Sequence, residues 1–152
     1  MNEYITKYIK DLSINSPIDS TKFSEIINSI DCNFPDDYLE FLRETNGGEG
    51  TIANGKYVQF WRAEDLIKYN GGFGEFTPDF FLIASDGGGT GFAIRRKEGT
   101  FVSFPFIGAD EDIIDDVGKV FREFLAYLSL PWTRPDGFEF EEDDDDNASM
   151  KW

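Results

Sequence analysis

The segment of this chain that most suggests a chemical site is SDGGGTG at residues 85–91. A glycine-rich loop binds phosphate when a lysine and a hydroxyl follow its last glycine and a helix begins there. Here Phe92 follows Gly91, and the residues beyond alternate as a strand does. Apolar runs flank the segment on both sides, so the pattern favours two strands joined by a tight glycine turn rather than a nucleotide loop.

The lack of histidine and the near lack of cysteine limit the kinds of active site and metal site that this chain can form. The sequence has no histidine and a single cysteine, Cys32. Ser–His–Asp and Cys–His nucleophiles need an imidazole near neutral pH, and zinc sites of Cys and His need several such ligands. These classes are excluded, and Cys32 is predicted to be a small buried thiol.

Because carboxylates are plentiful, two further hypotheses need consideration: a hydrolase that uses two carboxylates, and a calcium-binding site. A carboxylate hydrolase needs two acids that converge on a cleft, an arrangement that the sequence leaves open. The acids at 110–112 and 115–116 lack the glycine and the terminal glutamate of an EF-hand loop. Weak cation binding by the acidic C-terminus is therefore more plausible than a built calcium site.

The charge balance is strongly negative. Thirty acidic residues against 14 basic ones give a net charge of −16. Eight of the acids lie in residues 136–152, which leaves 22 acids and 13 bases, a net charge of −9, in residues 1–135. Such a field repels nucleic acid and anionic membranes and speeds encounter with basic proteins, although acidity can also serve solubility alone.

Length and composition indicate one soluble domain, predicted to span residues 1–135. No apolar run approaches the roughly 18 residues that span a bilayer. The N-terminus has no basic start and no uninterrupted apolar stretch, so we expect a cytoplasmic protein without a signal peptide. Residues 136–152, with EEDDDD at 141–146, are predicted to be a disordered acidic tail, which could also bind a partner.

Apolar spacing predicts helices over residues 3–12 and 22–30, the second capped by Ser20 or Thr21. A third helix is predicted to carry Pro35 in its first turn, acids near the positive end of its dipole, and a stop at residues 46–48, where Asn or Gly can take the left-handed conformation. The remaining elements are predicted strands at 57–61, 80–95 (a hairpin) and 100–104, a short helix at 63–69, and a final helix with an apolar stripe from Val117 to Leu128.

This order predicts an α+β fold. We expect a single domain with a mostly antiparallel or mixed sheet, flanked by N-terminal helices and a closing C-terminal helix. One face of the sheet would meet the helices.

Several of these segments together resemble the SUKH superfamily of Smi/Knr-type domains. The resemblance covers about residues 20–130, and it rests on the ordered set rather than on any single motif. Its matching segments are FPDDYLEFL at 34–42, NGG at 46–48, Trp61 with EDL at 64–66, Pro78 with FLIA at 81–84, DGGG at 86–89, and the closing helix at 121–128.

The resemblance implies a SUKH-like α+β domain without enzyme activity, and we therefore predict no catalytic residue, no cofactor and no metal. Bacterial members are typically encoded beside secreted polymorphic toxins and neutralise the cognate toxin inside the producing cell. Fungal members act as interaction modules in signalling. The short chain favours the bacterial immunity type; the alternative is a general regulatory module without a toxin partner.

An acidic inhibitor suits a basic toxin such as a nuclease or deaminase, because opposite fields speed association while buried contacts supply specificity. Asp86 has a simpler alternative role as a cap of its own turn, and residues 110–112 as a solvated loop. Trp61 and Phe81 are predicted to be core rather than interface. The predicted partner-binding residues are loop acids and one aromatic: Glu49, Glu75, Phe76, Asp86, Asp110, Glu111 and Asp112.

Overall fold

The computed structural model describes residues 1–53, 55–71, 78–106 and 114–130. Within these residues five helices accompany a seven-stranded antiparallel sheet, which confirms the predicted α+β class. The helices are α1 (Glu3–Ile9), α2 (Ser20–Asn28), α3 (Asp36–Thr45), α4 (Ala63–Asn70) and α5 (Phe121–Leu128). The strands are β1 (Ser13–Ile14), β2 (Gly48–Thr51), β3 (Tyr57–Phe60), β4 (Phe80–Ser85), β5 (Thr90–Arg95), β6 (Phe101–Pro105) and β7 (Asp115–Gly118).

The sheet is a meander in which spatial order follows chain order from β1 to β7. Its centre is the predicted hairpin of β4 and β5, where Leu82 pairs with Ala93 and Ser85 with Gly91. An irregularity in β4 between Leu82 and Ala84 shifts the register there. Residues 86–89 form the turn, so the glycine-rich segment is the structural connection that its flanking residues predicted.

The main core lies between one face of this sheet and the helices. All five helices contribute buried residues to the same apolar cluster as strand residues Val58, Phe60 and Ile94. Aromatic rings dominate its centre: Phe101 stacks on Phe124 with a centroid distance of 5.0 Å. The predicted contact between the helices and a single sheet face is therefore confirmed.

The opposite sheet face carries a second cluster that the sequence did not predict. Leu82, Ala93 and Val102 pair in one row across β4, β5 and β6, and all three are buried. Phe80 and Phe104 complete the cluster, with Trp61 among the residues packed against it. The central strands are thus apolar on both faces, and so their sequences show continuous apolar runs instead of alternation.

The final helix begins later than the stripe from Val117 predicts. Val117 is buried in β7, whose Asp116 pairs with Val102, and α5 begins only at Phe121. A side chain at Gly118 would lie 2.7 Å from the backbone nitrogen of Phe124, so the strand passes close beneath the helix. Sheet pairing outweighs the helical spacing because it satisfies the backbone of this segment and still buries Val117.

Several boundaries also differ from those predicted. Asp19, not Ser20 or Thr21, caps α2 by accepting the backbone N–H of Lys22 at 3.1 Å. Pro35 occupies the N-cap of α3 with extended backbone rather than the first turn. The strands β1 and β2 were missed, since they are short and β2 reads GEGT, with no apolar alternation.

In the described part of the chain, no helix combines the length and the apolar character needed to cross a membrane. The predicted acidic tail at 136–152, like residues 131–135 of the predicted domain, lies outside the described residues.

Candidate partner-binding surface

Two of the predicted partner-binding residues can be placed, Glu49 and Asp86. The other five lie outside the described residues: Glu75, Phe76, Asp110, Glu111 and Asp112. Glu49 is exposed on β2, where it pairs with Ser13 on one side and Gln59 on the other. Gln59 in turn pairs with Ser85, the residue before Asp86. The structure therefore brings Glu49 and Asp86 to the same end of the sheet.

The turn that carries Asp86 lies against β3. Gly87 has a φ of +81°, and a side chain there would lie 3.2 Å from Cε2 of Tyr57. Tyr57 is 39 % exposed, an aromatic ring that the sequence analysis did not select. The alternation of Tyr57, Val58 and Gln59 was the signal that could have placed this ring outside the core. Glu49, Tyr57, Gln59 and residues 86–89 are called the hairpin surface below.

Asp86 also performs the simpler role considered for it. Its Oδ1 accepts the backbone N–H groups of Gly88 at 2.8 Å and Thr90 at 3.1 Å. One carboxylate oxygen thus closes the turn, whereas the Glu49 side chain makes no ion pair and no hydrogen bond with the described residues. Glu49 is therefore the acid of this surface whose charge is free for a partner.

A cleft not predicted from the sequence lies at the other end of β5. Two neighbouring cavities, of about 440 and 220 Å³, share Asp37 and Val120 in their lining and are together called the Asp37 cleft below. The larger cavity reaches Asp36 and Glu98, and the smaller reaches Tyr4 and Arg122.

Asp37 holds this cleft together through its carboxylate. Oδ1 accepts the backbone N–H groups of Tyr38 at 3.0 Å and of Phe121 at 3.2 Å, while Oδ2 accepts that of Arg122 at 3.2 Å. The N-cap residue of α5 is Val120, which supplies no side-chain cap. An acid at the start of α3 therefore caps α5 and places negative charge at the positive end of its dipole.

Asn46 plays the matching role at the other end of α3. It ends that helix in the left-handed conformation, with a φ of 56°, within the predicted stop at residues 46–48. Its side-chain Oδ1 accepts the backbone N–H of Ala63 at 2.9 Å, and its Nδ2 donates to Glu64 at 2.9 Å. The N-cap residue of α4, Arg62, makes no side-chain capping bond. Asn46, which belongs to the end of α3, caps α4 in its place.

Burial shifts the pKa of two ionisable groups near the core, Cys32 and Tyr38. Burial raises the pKa of the half-buried Cys32 thiol to about 12, although nearby Arg96 opposes the shift. Burial also raises the pKa of Tyr38 well above its ordinary value. Neither group is a ready nucleophile or base at pH 7, since both stay protonated.

The predicted core aromatics are placed as expected. Phe81 is buried, and Trp61 is half-buried where it packs against both core clusters. Among the described residues, no group of three or more Cys, Asp or Glu is placed to hold a metal ion.

Comparison with known proteins identifies the family of the chain. No curated protein matches the chain. Residues 17–127 match the model of the SMI1 / KNR4 family (SUKH-1). That span includes both α3 capping residues, the hairpin and nearly all of α5. Because the match covers well over half of its residues, the chain belongs to the SMI1 / KNR4 family (SUKH-1).

Proposed function

We propose that this chain is a non-enzymatic bacterial immunity protein that acts in the cytoplasm. It binds a cognate polymorphic toxin and neutralises it by masking the toxin's active surface. The observation that carries the proposal is the family match over residues 17–127, because the SUKH resemblance implies toxin immunity for bacterial members.

The charge of the chain supports a basic toxin, such as a nuclease or deaminase. A net charge of −16 accelerates encounter with a positively charged surface, and the gain in association rate falls as salt rises. Specificity then needs short-range contacts at a defined surface.

We assign the first such contact to the hairpin surface. It combines the free carboxylate of Glu49 with the exposed ring of Tyr57, and aromatic side chains are favoured anchors at protein interfaces. Asp86 holds the turn at residues 86–89 in place beside these two side chains. Glu75, Phe76, Asp110, Glu111 and Asp112 remain proposed contacts.

The test is rescue of growth. A candidate toxin domain, taken from a gene next to that of this chain, is expressed in a bacterial host with and without the chain, and the purified pair is examined for a 1:1 complex. Rescue together with that complex supports the proposal. A chain that binds other proteins but leaves the toxin fully active would instead favour a general regulatory module.

Two variants then test the surface. Glu49→Gln together with Tyr57→Ser should weaken the toxin complex at least tenfold, since both anchors are lost. The control is Glu25→Gln, an exposed acid on α2 that removes one charge elsewhere. Equal weakening by both would show that only overall charge matters.

A further inference from the structure

We propose that the hairpin surface selects an arginine side chain of its protein partner. The arginine packs across Gly88 and Gly89 and stacks on the ring of Tyr57, and its guanidinium pairs with the carboxylate of Glu49. This docking position rests on the proposed function only for the identity of the partner, a protein with a basic surface.

The glycines of the segment at 85–91 differ in what the fold requires of them. Gly87 has a φ of +81°, and a side chain at Gly91 would lie 2.7 Å from an aromatic ring, so both positions need glycine. Gly88 and Gly89 have negative φ. A Cβ at Gly88 would make only an ordinary contact, 3.5 Å from Oδ1 of Asp86, and a Cβ at Gly89 would meet nothing within 4 Å.

The fold would therefore accept side chains at Gly88 and Gly89, where glycine loses more conformational freedom on folding than alanine would. Both residues are exposed. Two adjacent exposed glycines offer a partner a surface without side chains, on which it can contact the backbone directly. The neighbouring ring and carboxylate are independent observations that indicate which partner group lies there.

The ring of Tyr57 is held beside this turn by its neighbours. Gln59 donates through Nε2 to the phenol oxygen of Tyr57 at 3.5 Å and accepts the hydroxyl of Ser85 through Oε1 at 3.4 Å. Glu49 lies directly opposite Gln59 in the strand pair, so its side chain is on the same sheet face as the ring. A guanidinium that stacks on the exposed part of this ring is therefore close to a carboxylate of opposite charge.

The polar atoms that remain free at the turn are mostly acceptors. The carbonyl oxygens of Gly87 and Gly88 accept no hydrogen bond from the described residues. Lys56, which precedes Tyr57, is engaged elsewhere, because its ammonium donates to two carbonyl oxygens at the end of α5, at 3.4 and 2.9 Å. A flat, negatively charged surface with several acceptors suits the planar guanidinium and its five donors better than the compact ammonium of lysine.

The first test titrates N-acetyl-arginine amide into the full ¹⁵N-labelled chain. We expect shifts in the amides of Tyr57, Gly88 and Gly89, and a dissociation constant about threefold lower than for N-acetyl-lysine amide, which carries the same charge. Tyr57→Phe should keep this preference and Tyr57→Leu should remove it, because only a ring stacks on guanidinium. Equal affinity for the two probes, or shifts confined to other surfaces of the chain, would overturn the proposal.

Glycine variants then test the surface without side chains. Gly88→Ala with Gly89→Ala should weaken the arginine probe about fivefold, because the added methyl groups hold it away from the backbone. The urea unfolding midpoint should stay unchanged or rise. The matched control is Gly71→Ala, at an exposed glycine after α4 with a φ of −59°, where a Cβ would come no closer than 3.4 Å to its neighbours.

The control variant should bind the arginine probe as the parent does. A lower unfolding midpoint in the double variant would show that the fold itself needs these glycines, and an unchanged affinity would show that the bare turn is not the contact. Either result would overturn the proposal.

The toxin assays separate this docking position from the proposed function. The double glycine variant should also weaken the toxin complex, and Gly71→Ala should not. Growth rescue with a 1:1 complex that the double variant leaves unchanged would refute the arginine site alone. Binding of the arginine probe at the turn without growth rescue would refute the immunity function alone.

Discussion

The carboxylate of Asp37 accepts the backbone N–H of Arg122, 85 residues later in the chain, at 3.2 Å. The same carboxylate accepts the N–H of Phe121, so α3 and α5 begin at one shared acid. Asn46 joins α3 to α4 in the same manner at the other end. The two ends of one ten-residue helix therefore fix the starting points of two later helices.

Loss of the Asp37 carboxylate should destabilise the fold. We expect Asp37→Ala to lower the free energy of unfolding by about 2 kcal/mol, because a helix cap and charge-assisted hydrogen bonds are lost together. Urea unfolding followed by circular dichroism measures the change. The control is Asp36→Ala, an exposed neighbour, which should change stability by less than about 0.5 kcal/mol. Similar losses for both variants would contradict the shared cap.

Two variants of Asn46 separate its backbone role from its side-chain role. Asn46→Gly keeps the left-handed conformation but loses the bonds to Ala63 and Glu64, and should cost about 2 kcal/mol of unfolding free energy. Asn46→Ala also forces a left-handed alanine, so it should cost about 1 kcal/mol more. Thermal and urea unfolding of the two proteins give the comparison. If alanine were the better tolerated of the two, the backbone role would be wrong.

Glu64 should make stability depend on pH in the acid range. Partial burial raises the pKa of Glu64. Hydrogen bonds from the Asn46 side chain and from a backbone N–H lower that pKa by more than burial raises it, so it lies below its ordinary value. A depressed pKa stabilises the folded state above the unfolded-state pKa of about 4.3, and this stabilisation is lost as pH falls through the lower folded value. Glu64→Gln should therefore lose less stability than the parent between pH 6 and pH 3. Identical pH profiles from urea unfolding would refute this.

Cys32 should react slowly while the chain is folded. Because burial raises the pKa of its thiol to about 12, little thiolate exists at pH 8. Alkylation by iodoacetamide should be more than about tenfold slower than for a free thiol with an ordinary pKa near 8.5, and should reach the free-thiol rate in 8 M urea. Mass spectrometry over time follows the reaction. A folded-state rate that equals the unfolded one would disprove the protected thiol.

Asn70 should be among the most sensitive polar positions. Its buried side-chain amide donates to the carbonyl oxygen of Leu82 at 2.9 Å and accepts the backbone N–H of Leu82 at 2.7 Å. The amide thus makes the two hydrogen bonds that a neighbouring strand would otherwise make to this residue of β4. Asn70→Ala leaves both backbone groups unpaired in the core and should cost about 3 kcal/mol of unfolding free energy. Asn28→Ala, at the exposed end of α2, is the control and should be nearly neutral. A loss no greater than in the control would show that water replaces the amide.

Local signals predicted most of the elements. The glycine turn between β4 and β5 was predictable because apolar runs flank it, and Asn46 was predictable as a helix end because asparagine tolerates positive φ. Val117 was assigned to the wrong element because one buried side chain fits a helix and a strand equally well. Pairing with β6 decided between them, and pairing is not a local property.

Two residues of the hairpin surface were selected from the sequence alone. Loop position and charge selected Glu49 and Asp86, and the structure places them at one end of the sheet. Tyr57 was missed, as was the Asp37 cleft, whose lining comes from segments as distant as α1 and α5. Cleft shape depends on which distant segments pack together, so spacing along the chain carries no direct signal for it.

The amino-acid sequence alone determined the α+β class, the order of its central elements, the acidic charge and the family resemblance. Periodicity and turn residues can be read from neighbouring positions, and charge is a sum over the chain, so none of them depends on how the chain packs. Only the tertiary structure decided that Asp37 and Asn46 cap helices other than their own, and which acids keep a free charge. A carboxylate or amide near a helix end always has several possible partners. Which N–H group it meets is decided by how the helices pack on the sheet.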